Sequence, residues 1–300
     1  MSDTRKAHLQ IHVCVFIWGF TAVLGKLIAL PSVALVWWRL VVATAALGCL
    51  PSVWRGVRQI APRLALAYAG IGAILAAHWV TFFGAVKLAD ASVGAMCLGL
   101  APAALALVEP AVARRAIEWR EIAFGAGVVP GVALVVRGVP AGMRTGIVVG
   151  VVSTTLVALS NALQKRLASR RADPLAVMWI ELAAGVLVLT IAAPAFPHAG
   201  PALPIPDRRS LWLLIVLAIG CTLLPFGLYL AALRRLSAFT VQLAVILEPV
   251  YAIALGYVLL GEDRELGGTF YAGAAVLLAI VVAHAIVGGA RQVAEAGTVR

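Results

Sequence analysis

Residues 238–260 read AFTVQLAVILEPVYAIALGYVLL, an apolar run that contains a single charged residue, Glu248, followed directly by Pro249. A run of about 20 apolar residues is long enough to cross the hydrocarbon core of a bilayer as a helix. A charge near the middle of such a helix costs at least about 2.5 kcal/mol on insertion scales, so it usually indicates a function. Proline removes a backbone donor at the same place, which predicts a broken helix beside a cavity.

The chain as a whole is also strongly apolar. Of its 300 residues, 63% are hydrophobic and 12% are charged, and the mean hydropathy is +1.02. A soluble domain carries about 25% charged residues, because much of its surface must face water. The composition therefore excludes a soluble enzyme, a disulfide-rich secreted scaffold and a disordered chain. It indicates an integral membrane protein that crosses the bilayer several times.

Apolar runs of suitable length predict an all-α membrane protein with about ten spanning helices joined by short loops. The predicted spans are Leu9–Leu30, Ser32–Leu50, Leu64–Val86, Ala91–Ala113, Ile122–Val136, Gly146–Leu167, Leu175–Ala193, Leu211–Leu233, Ala238–Leu260 and Gly268–Val287.

The basic residues predict how the chain is oriented in the membrane. The formal net charge is +11, and the Lys and Arg residues lie in short clusters between the apolar runs. With the N-terminus inside, about sixteen of them fall on inner loops and about six on outer loops, which fits the positive-inside rule. We therefore expect both termini in the cytoplasm and the chain in the cell inner (plasma) membrane. The clusters suit anionic lipid headgroups and give no sign of nucleic-acid binding.

The two halves of the chain align with each other around two prolines, Pro102 and Pro249. Further pairs at matching positions are Asp90 with Ser237, Arg115 with Glu262, Arg39 with Glu181 and Lys26 with Lys165. The alignment predicts a five-helix repeat in residues 1–140 and a second one in residues 141–300. Because five is odd, the second copy would insert upside down. Inverted repeats of this kind are the architecture of transporters, with the substrate site near the midplane.

The residues around these prolines also carry a family resemblance. The second half contains Leu247-Glu248-Pro249-Val250-Tyr251 and then Gly261-Glu262, and the first half contains Trp18-Gly19, Arg39-Leu40 and HWVTFFGA at 78–85. With these motifs the chain resembles EamA-type permeases of the drug/metabolite transporter superfamily over nearly its whole length. The resemblance implies a ten-helix carrier of small metabolites, and many relatives move amino acids or related compounds outward. The first half departs from the pattern, since Arg115 stands at the position of Glu262.

These observations together predict a secondary transporter that works by alternating access, with amino acids or related compounds as the expected exported cargo. Two other cargo classes remain open: toxic organic cations or drugs, and nucleotide-linked metabolites. The sequence contains no phosphate-binding Gly-Lys motif, no metal-ligand cluster and no catalytic triad, so we expect no enzyme activity, cofactor or metal site. The expected partners are a small-molecule substrate, the lipid bilayer and protons as a coupling ion, in a monomer or a homodimer.

Three charged residues inside the spans are candidates for substrate binding. Glu248 would bind a proton or a substrate ammonium group, or else it bonds a neighbouring helix. Arg39 offers two parallel hydrogen bonds to a substrate carboxylate, or else it pairs with an acidic side chain. Glu181 lies at the position that matches Arg39, and one acid with one base at equivalent positions would suit a zwitterion.

Three further candidates are uncharged or titrate near neutral pH. His78 lies well inside a predicted span, where it would line the cavity, relay protons or serve as a packing residue. Trp18 lies near the middle of the first span and is a candidate cavity wall, although tryptophan also concentrates at membrane interfaces. Asn161 would bind substrate or join helices by a hydrogen bond.

Overall fold

The structure is a computed structural model that describes residues 3–117, 119–167, 172–196, 201–233, 235–236 and 238–298. Within these ranges the chain is helical and contains no β-strand. The helices are α1 (Asp3–Leu27), α2 (Ser32–Gly48), α3 (Pro51–Gln59), α4 (Pro62–Leu88), α5 (Ala91–Leu98), α6 (Ala101–Ala113), α7 (Trp119–Gly127), α8 (Val129–Gly138), α9 (Arg144–Leu167), α10 (Pro174–Ala192), α11 (Arg208–Ile215), α12 (Leu224–Leu233), α13 (Ala238–Val245), α14 (Glu248–Leu255) and α15 (Gly268–Thr298). Wider π-helical turns at Val216–Leu223 and Gly256–Leu260 continue α11 and α14.

Long apolar helices account for many of the predicted membrane spans. In the described part of the chain, five segments are long and apolar enough to cross a bilayer: Arg5–Leu27, Pro62–Leu88, Ala141–Leu167, Pro174–Ala195 and Arg208–Ala232. Two pairs of consecutive helices pass the same test together but are bent at the break between them, by 92° for α2 with α3 and by 40° for α5 with α6. If each bent pair counts as one span, the number rises to seven. Three shorter apolar stretches are Ile122–Gly138, Glu248–Leu260 and Gly268–Ala283. The structure thus supports a multi-pass helical membrane protein with five to seven full-length spans, and the count of ten stays a prediction.

Contacts between connecting segments define two ends of the helix bundle. At the Lys26 end, the side chain of Lys26 lies at the end of α1, and the amide of Ala29 donates to Ser210 Oγ at 3.2 Å. At the opposite end, which we name the Lys165 end, Lys165 forms an ion pair with Glu109. The helices α4 and α9 run in opposite directions between these two ends, because the position of Gly146 at the start of α9 faces Ala89 just after α4.

Two helices are interrupted in the middle of the bundle. The pair α5 and α6 is separated just before Pro102, and the pair α13 and α14 is separated just before Pro249. Proline lacks an amide hydrogen, so the carbonyl four residues earlier loses its helical partner. The break predicted at Pro249 is therefore confirmed, and a matching break occurs at Pro102. Interrupted helices of this kind form the substrate sites of many transporters.

Glycines bring α8 and α15 into backbone contact. A Cβ atom at Gly131 would lie 2.6 Å from Leu277 Cγ, and one at Gly273 would lie 2.6 Å from the amide nitrogen of Val135. The position of Gly138 faces the backbone of α15 in the same way. The absence of side chains lets the two backbones approach closely. Because α8 precedes residue 140 and α15 follows it, this glycine seam joins the first half of the chain to the second.

Candidate functional site

A cavity of about 400 Å³ lies between the two interrupted helices. Its polar lining includes Arg39, His78, Asn161, Thr222 and Glu248, and its aromatic lining is Trp18, Trp79, Phe82, Phe226 and Tyr229. Exposed Asn161, fewer than two turns before the end of α9, lies on the Lys165 side of the cavity, whereas Lys26, Ala29 and Ser210 do not line the cavity. The cavity therefore extends from the middle of the bundle toward the Lys165 end.

The structure brings five of the six predicted site residues to this cavity. They are Trp18, Arg39, His78, Asn161 and Glu248. The sixth, Glu181, lies outside it. The indole of Trp18 packs against the ring of Tyr229 with centroids 5.9 Å apart, so the interpretation of Trp18 as a cavity wall fits its position.

Arg39 is buried and held from several sides. Its Nε donates to Thr222 Oγ1 at 3.0 Å, and its guanidinium carbon lies 4.8 Å from the ring centroid of Trp79 and 5.6 Å from that of Phe83. Its Nη1 is buried without a hydrogen-bond partner. A buried donor left unpaired costs about 1–3 kcal/mol, and more when it is charged. An anionic group in the cavity would remove that cost.

A π-helical turn places the hydroxyl group that orients Arg39. Thr222 Oγ1 donates to the carbonyl oxygen of Leu217 at 2.9 Å, a bond that spans five residues. Its hydrogen is used in that bond, so the oxygen is left to accept from Arg39 Nε. Wide turns of this kind frequently occur at functional sites.

Glu248 is the first residue of α14 and faces the same cavity as Arg39. Within the described residues its carboxylate has no salt bridge and no hydrogen bond to protein. The positive end of the α14 dipole favours a negative charge at this position. Arg39 and Glu248 thus present opposite charges to one cavity without pairing directly, and both remain free to bind a ligand.

His78 is anchored to α9 while its ring lines the cavity. Its Nδ1 lies 3.0 Å from the carbonyl oxygen of Ser153, and Ser153 Oγ donates to the carbonyl oxygen of His78 at 3.0 Å. A carbonyl oxygen only accepts, so this contact assigns the hydrogen to Nδ1. Nε2 is then the acceptor. The packing role and the cavity role, which were alternatives in the sequence, both describe this residue.

Glu181 is placed differently from the prediction. Its two carboxylate oxygens accept from Gln164 Nε2 at 3.1 and 3.2 Å, and its backbone lies against Gly72 of α4. The structure does not bring Glu181 together with Arg39 at the cavity, since Glu181 lies against α4 and its carboxylate is bonded to Gln164. The acid opposite Arg39 is Glu248 instead.

Comparison with known proteins assigns the chain to a family. The sequence matches the EamA-like transporter family over residues 5–137 and again over residues 144–284. The chain belongs to this family. It is therefore a membrane transporter of small molecules within the drug/metabolite transporter superfamily. No curated protein matches the chain. A solved crystal structure is similar to it with a TM-score of 0.60 and 19% identity, over 96% of this chain and 98% of that chain, and this likeness shows the fold alone.

Several residues of the transporter cavity were not among the predicted ones. Thr222 and Cys221 lie in the π-helical turn, and Phe226 and Tyr229 follow on α12. A threonine in an apolar span carries no sequence signal that separates it from a packing residue. Among the described residues, no three His, Cys, Asp or Glu side chains lie close enough together to hold a metal ion.

Proposed function

We propose that this EamA-like protein is a secondary transporter of the cell inner (plasma) membrane that exports amino acids or related zwitterions. The proposal rests mainly on one observation: Arg39 and Glu248 line the same cavity, and among the described residues neither forms a salt bridge. An amino acid carries one carboxylate and one ammonium group. The carboxylate would bind the guanidinium of Arg39, and the ammonium would bind Glu248. A cavity of about 400 Å³ is within the usual size range of small-molecule sites.

The orientation follows from the charge distribution along the chain. We propose that residues 1–140 and 141–300 are inverted repeats and that both termini are cytoplasmic, as the positive-inside rule predicts. The Lys165 end is then the cytoplasmic end. The cavity extends toward that end, so cargo would be loaded from the cytoplasm, as an exporter requires.

Transport would proceed by alternating access around the interrupted helices. Cargo binds between Arg39 and Glu248, the two halves rearrange near Pro102 and Pro249, and the Lys26 end opens. Protons are the proposed coupling ion, with Glu248 and His78 as the titrating groups that line the cavity. One chain supplies the whole described lining, so a monomer suffices and a homodimer would contain two such cavities.

A second cargo class is favoured by the aromatic wall. Trp18, Trp79, Phe82 and Tyr229 line the cavity beside Glu248, and aromatic rings with a carboxylate attract organic cations. A cation that lacks an acidic group would leave Arg39 unpaired and would be repelled by it. Nucleotide-linked metabolites, the third class, would use Arg39 for a phosphate and would place a second negative charge near Glu248.

Counterflow in proteoliposomes tests the cargo proposal. Vesicles are loaded with unlabelled amino acids, and protein-dependent uptake of each labelled amino acid is followed with and without a pH gradient. The best cargo then competes against its methyl ester, which lacks the carboxylate, and its deaminated acid, which lacks the ammonium group. We expect only the intact zwitterion to compete. Competition by the ester alone would favour organic cations, and no exchange of any amino acid would contradict the proposal.

A further inference from the structure

The Lys26 end is closed by a cluster of polar contacts that the cargo site does not use. Lys26 Nζ lies 2.8 Å from Asp90 Oδ1 and also donates to the carbonyl oxygen of Ala89. Lys87 Nζ donates to the carbonyl oxygen of Ile28. These bonds tie the end of α1 to the segment that leads from α4 into α5. The helix α5 leads from these bonds to the cavity, which Leu98 at the end of α5 lines.

A residue from far along the chain completes the closure. Glu262 Oε1 accepts from the amide of Ala91 at 2.8 Å, and Oε2 accepts from the amide of Ser92 at 3.0 Å and from the Ser92 hydroxyl. The first amides of a helix have no partner within it, so a carboxylate there acts as a cap. Asp90 precedes α5 but its side chain does not cap the helix; its Oδ1 is paired with Lys26, and Glu262 takes the first amides of α5. Glu262 is 3% exposed, although it lies in a loop.

The sequence provides no counterpart of the Lys26–Asp90 ion pair or of the Glu262 cap at the Lys165 end. The repeat alignment places Ser237 at the position of Asp90 and Arg115 at the position of Glu262. A serine hydroxyl cannot form an ion pair with Lys165, and a guanidinium has no acceptor with which to cap the amides of α13. Lys165, the counterpart of Lys26, instead pairs with Glu109 and is largely exposed, with 71% of its side chain accessible.

We propose that Lys26, Asp90 and Glu262 form a gate at the Lys26 end, and that the missing counterparts at the Lys165 end set the resting state. The gate holds the Lys26 end closed between transport cycles, so the cavity rests open at the Lys165 end. An exporter that rests in this state is ready to bind cytoplasmic cargo. This interpretation of the resting state rests on the proposed function, but the test of the gate needs no cargo.

Accessibility of a native cysteine tests the gate. Cys14, Cys97 and Cys221 are all buried within the bundle, but of these three only Cys221 lines the cavity. Cys49 is exposed and is replaced by serine in every variant. A membrane-impermeant maleimide is added to one side of sealed, oriented vesicles, with Cys221→Ser as the background. We expect Cys221 to be labelled from the Lys165 side in the parent. Asp90→Asn and Glu262→Gln should each raise labelling from the Lys26 side several-fold.

Matched variants separate the gate from a general loss of structure. Asp263→Asn removes an exposed charge next to Glu262 and should leave labelling unchanged. Exchanging the charges with Lys26→Glu and Asp90→Lys should restore the closure that Asp90→Asn loses. The double variant Arg115→Glu with Ser237→Asp adds the ion pair and the helix cap that the Lys165 end lacks, and it should lower labelling from the Lys165 side.

The outcomes distinguish this proposal from the cargo proposal. Unchanged labelling from the Lys26 side in folded Asp90→Asn and Glu262→Gln proteins would overturn the gate, even if amino acids are transported. A shift in labelling without any amino-acid exchange would support the gate and reject the cargo. If the Asp90 and Glu262 variants do not fold, the double variant Arg115→Glu with Ser237→Asp provides the test. Unchanged labelling from the Lys165 side in that variant would contradict the proposed difference between the two ends.

Discussion

Glu181 and Glu248 are both carboxylates inside apolar helices, yet the structure gives them different surroundings. Glu181 is buried and accepts two hydrogen bonds from Gln164 outside the cavity. Glu248 faces the cavity and has no protein partner among the described residues. The cost of placing a carboxylate in a membrane is offset by Gln164 in the first case, whereas no described residue offsets it with a salt bridge in the second. A charged residue in a span therefore predicts a function only when its partner is missing.

The same comparison extends to the two halves of the chain. The position of Glu248 in the first half is occupied by Ala101, and the position of Arg39 in the second half is occupied by Glu181. Each half thus contributes one charge to the cavity, of opposite sign, and neither charge is repeated by symmetry. Under the proposed function, a cavity with one positive and one negative group would distinguish the carboxylate end of its cargo from the ammonium end.

Replacing Arg39 should have the largest effect on transport. Arg39→Gln keeps a polar side chain but removes the positive charge and the paired donors. Charged hydrogen bonds contribute about 1.5–3 kcal/mol each, so we expect a ~100-fold loss of transport at low substrate concentration. Initial rates of counterflow measure this, with thermal unfolding as the control for folding. Retention of most of the parent rate would show that Arg39 is a packing residue.

The two glutamates should differ when each is changed to glutamine. Glu248→Gln should reduce transport about tenfold, since it removes one charge-assisted bond to cargo. Glu181→Gln is the matched control, and it should change the rate less than about twofold because Glu181 does not line the cavity. Equal losses in the two variants would contradict the distinction between them. If coupling to protons depends on Glu248, only its variant should also lose the response to a pH gradient.

Stability should reveal the partner of Glu181. Gln164→Leu leaves the Glu181 carboxylate buried without a donor, which should cost about 1–3 kcal/mol of folding free energy. Adding Glu181→Leu removes the unpaired group and should restore much of the loss. Thermal unfolding in detergent of the single and double variants checks this. Equal unfolding midpoints for Gln164→Leu and the parent would show that the bond contributes nothing.

A third carboxylate, Asp207, lies outside the membrane-spanning segments and should show the smallest effect. Its Oδ1 accepts from the amide of Ser210 at 3.0 Å and caps α11, and these bonds to Ser210 lower the pKa of Asp207. A lowered pKa means that the stabilisation is present above the unfolded value of about 3.9 and is lost as the pH falls through the folded value. Asp207→Ala should lower the unfolding midpoint slightly at neutral pH. The difference from the parent should vanish in acid, and a difference that persists there would refute the assignment.

The sequence predicted the features that depend on local composition. Apolar runs predicted the helices, and Pro249 predicted the break ahead of α14. Arg39 and Glu248 stood out because a charge is rare in a span. The break before Pro130 was not predicted, since it leaves an apolar run apparently continuous. The helix α3 was not predicted either, because it contains Arg55 and Arg58 and lies beyond the predicted span Ser32–Leu50.

Features that depend on distant partners were beyond the sequence. Glu181 carried the same signal as Glu248, and only the hydrogen bond from Gln164 on α9 to Glu181 on α10 shows that this carboxylate has a protein partner. Thr222 could be recognised as a site residue only from the structure, in which the π-helical turn places its hydroxyl against Arg39. Contacts between helices that are far apart along the chain decide which charged side chain is left without a protein partner.

The glycine seam between α8 and α15 has a consequence for how the protein is made. The helix α8 is synthesised long before α15, yet Gly131 and Gly138 fit closely only against that later helix. Until α15 leaves the ribosome, the narrow face of α8 must be covered by lipid or by the insertion machinery. The first half of the chain therefore cannot finish folding on its own during translation, and its final packing waits for a helix encoded near the other terminus.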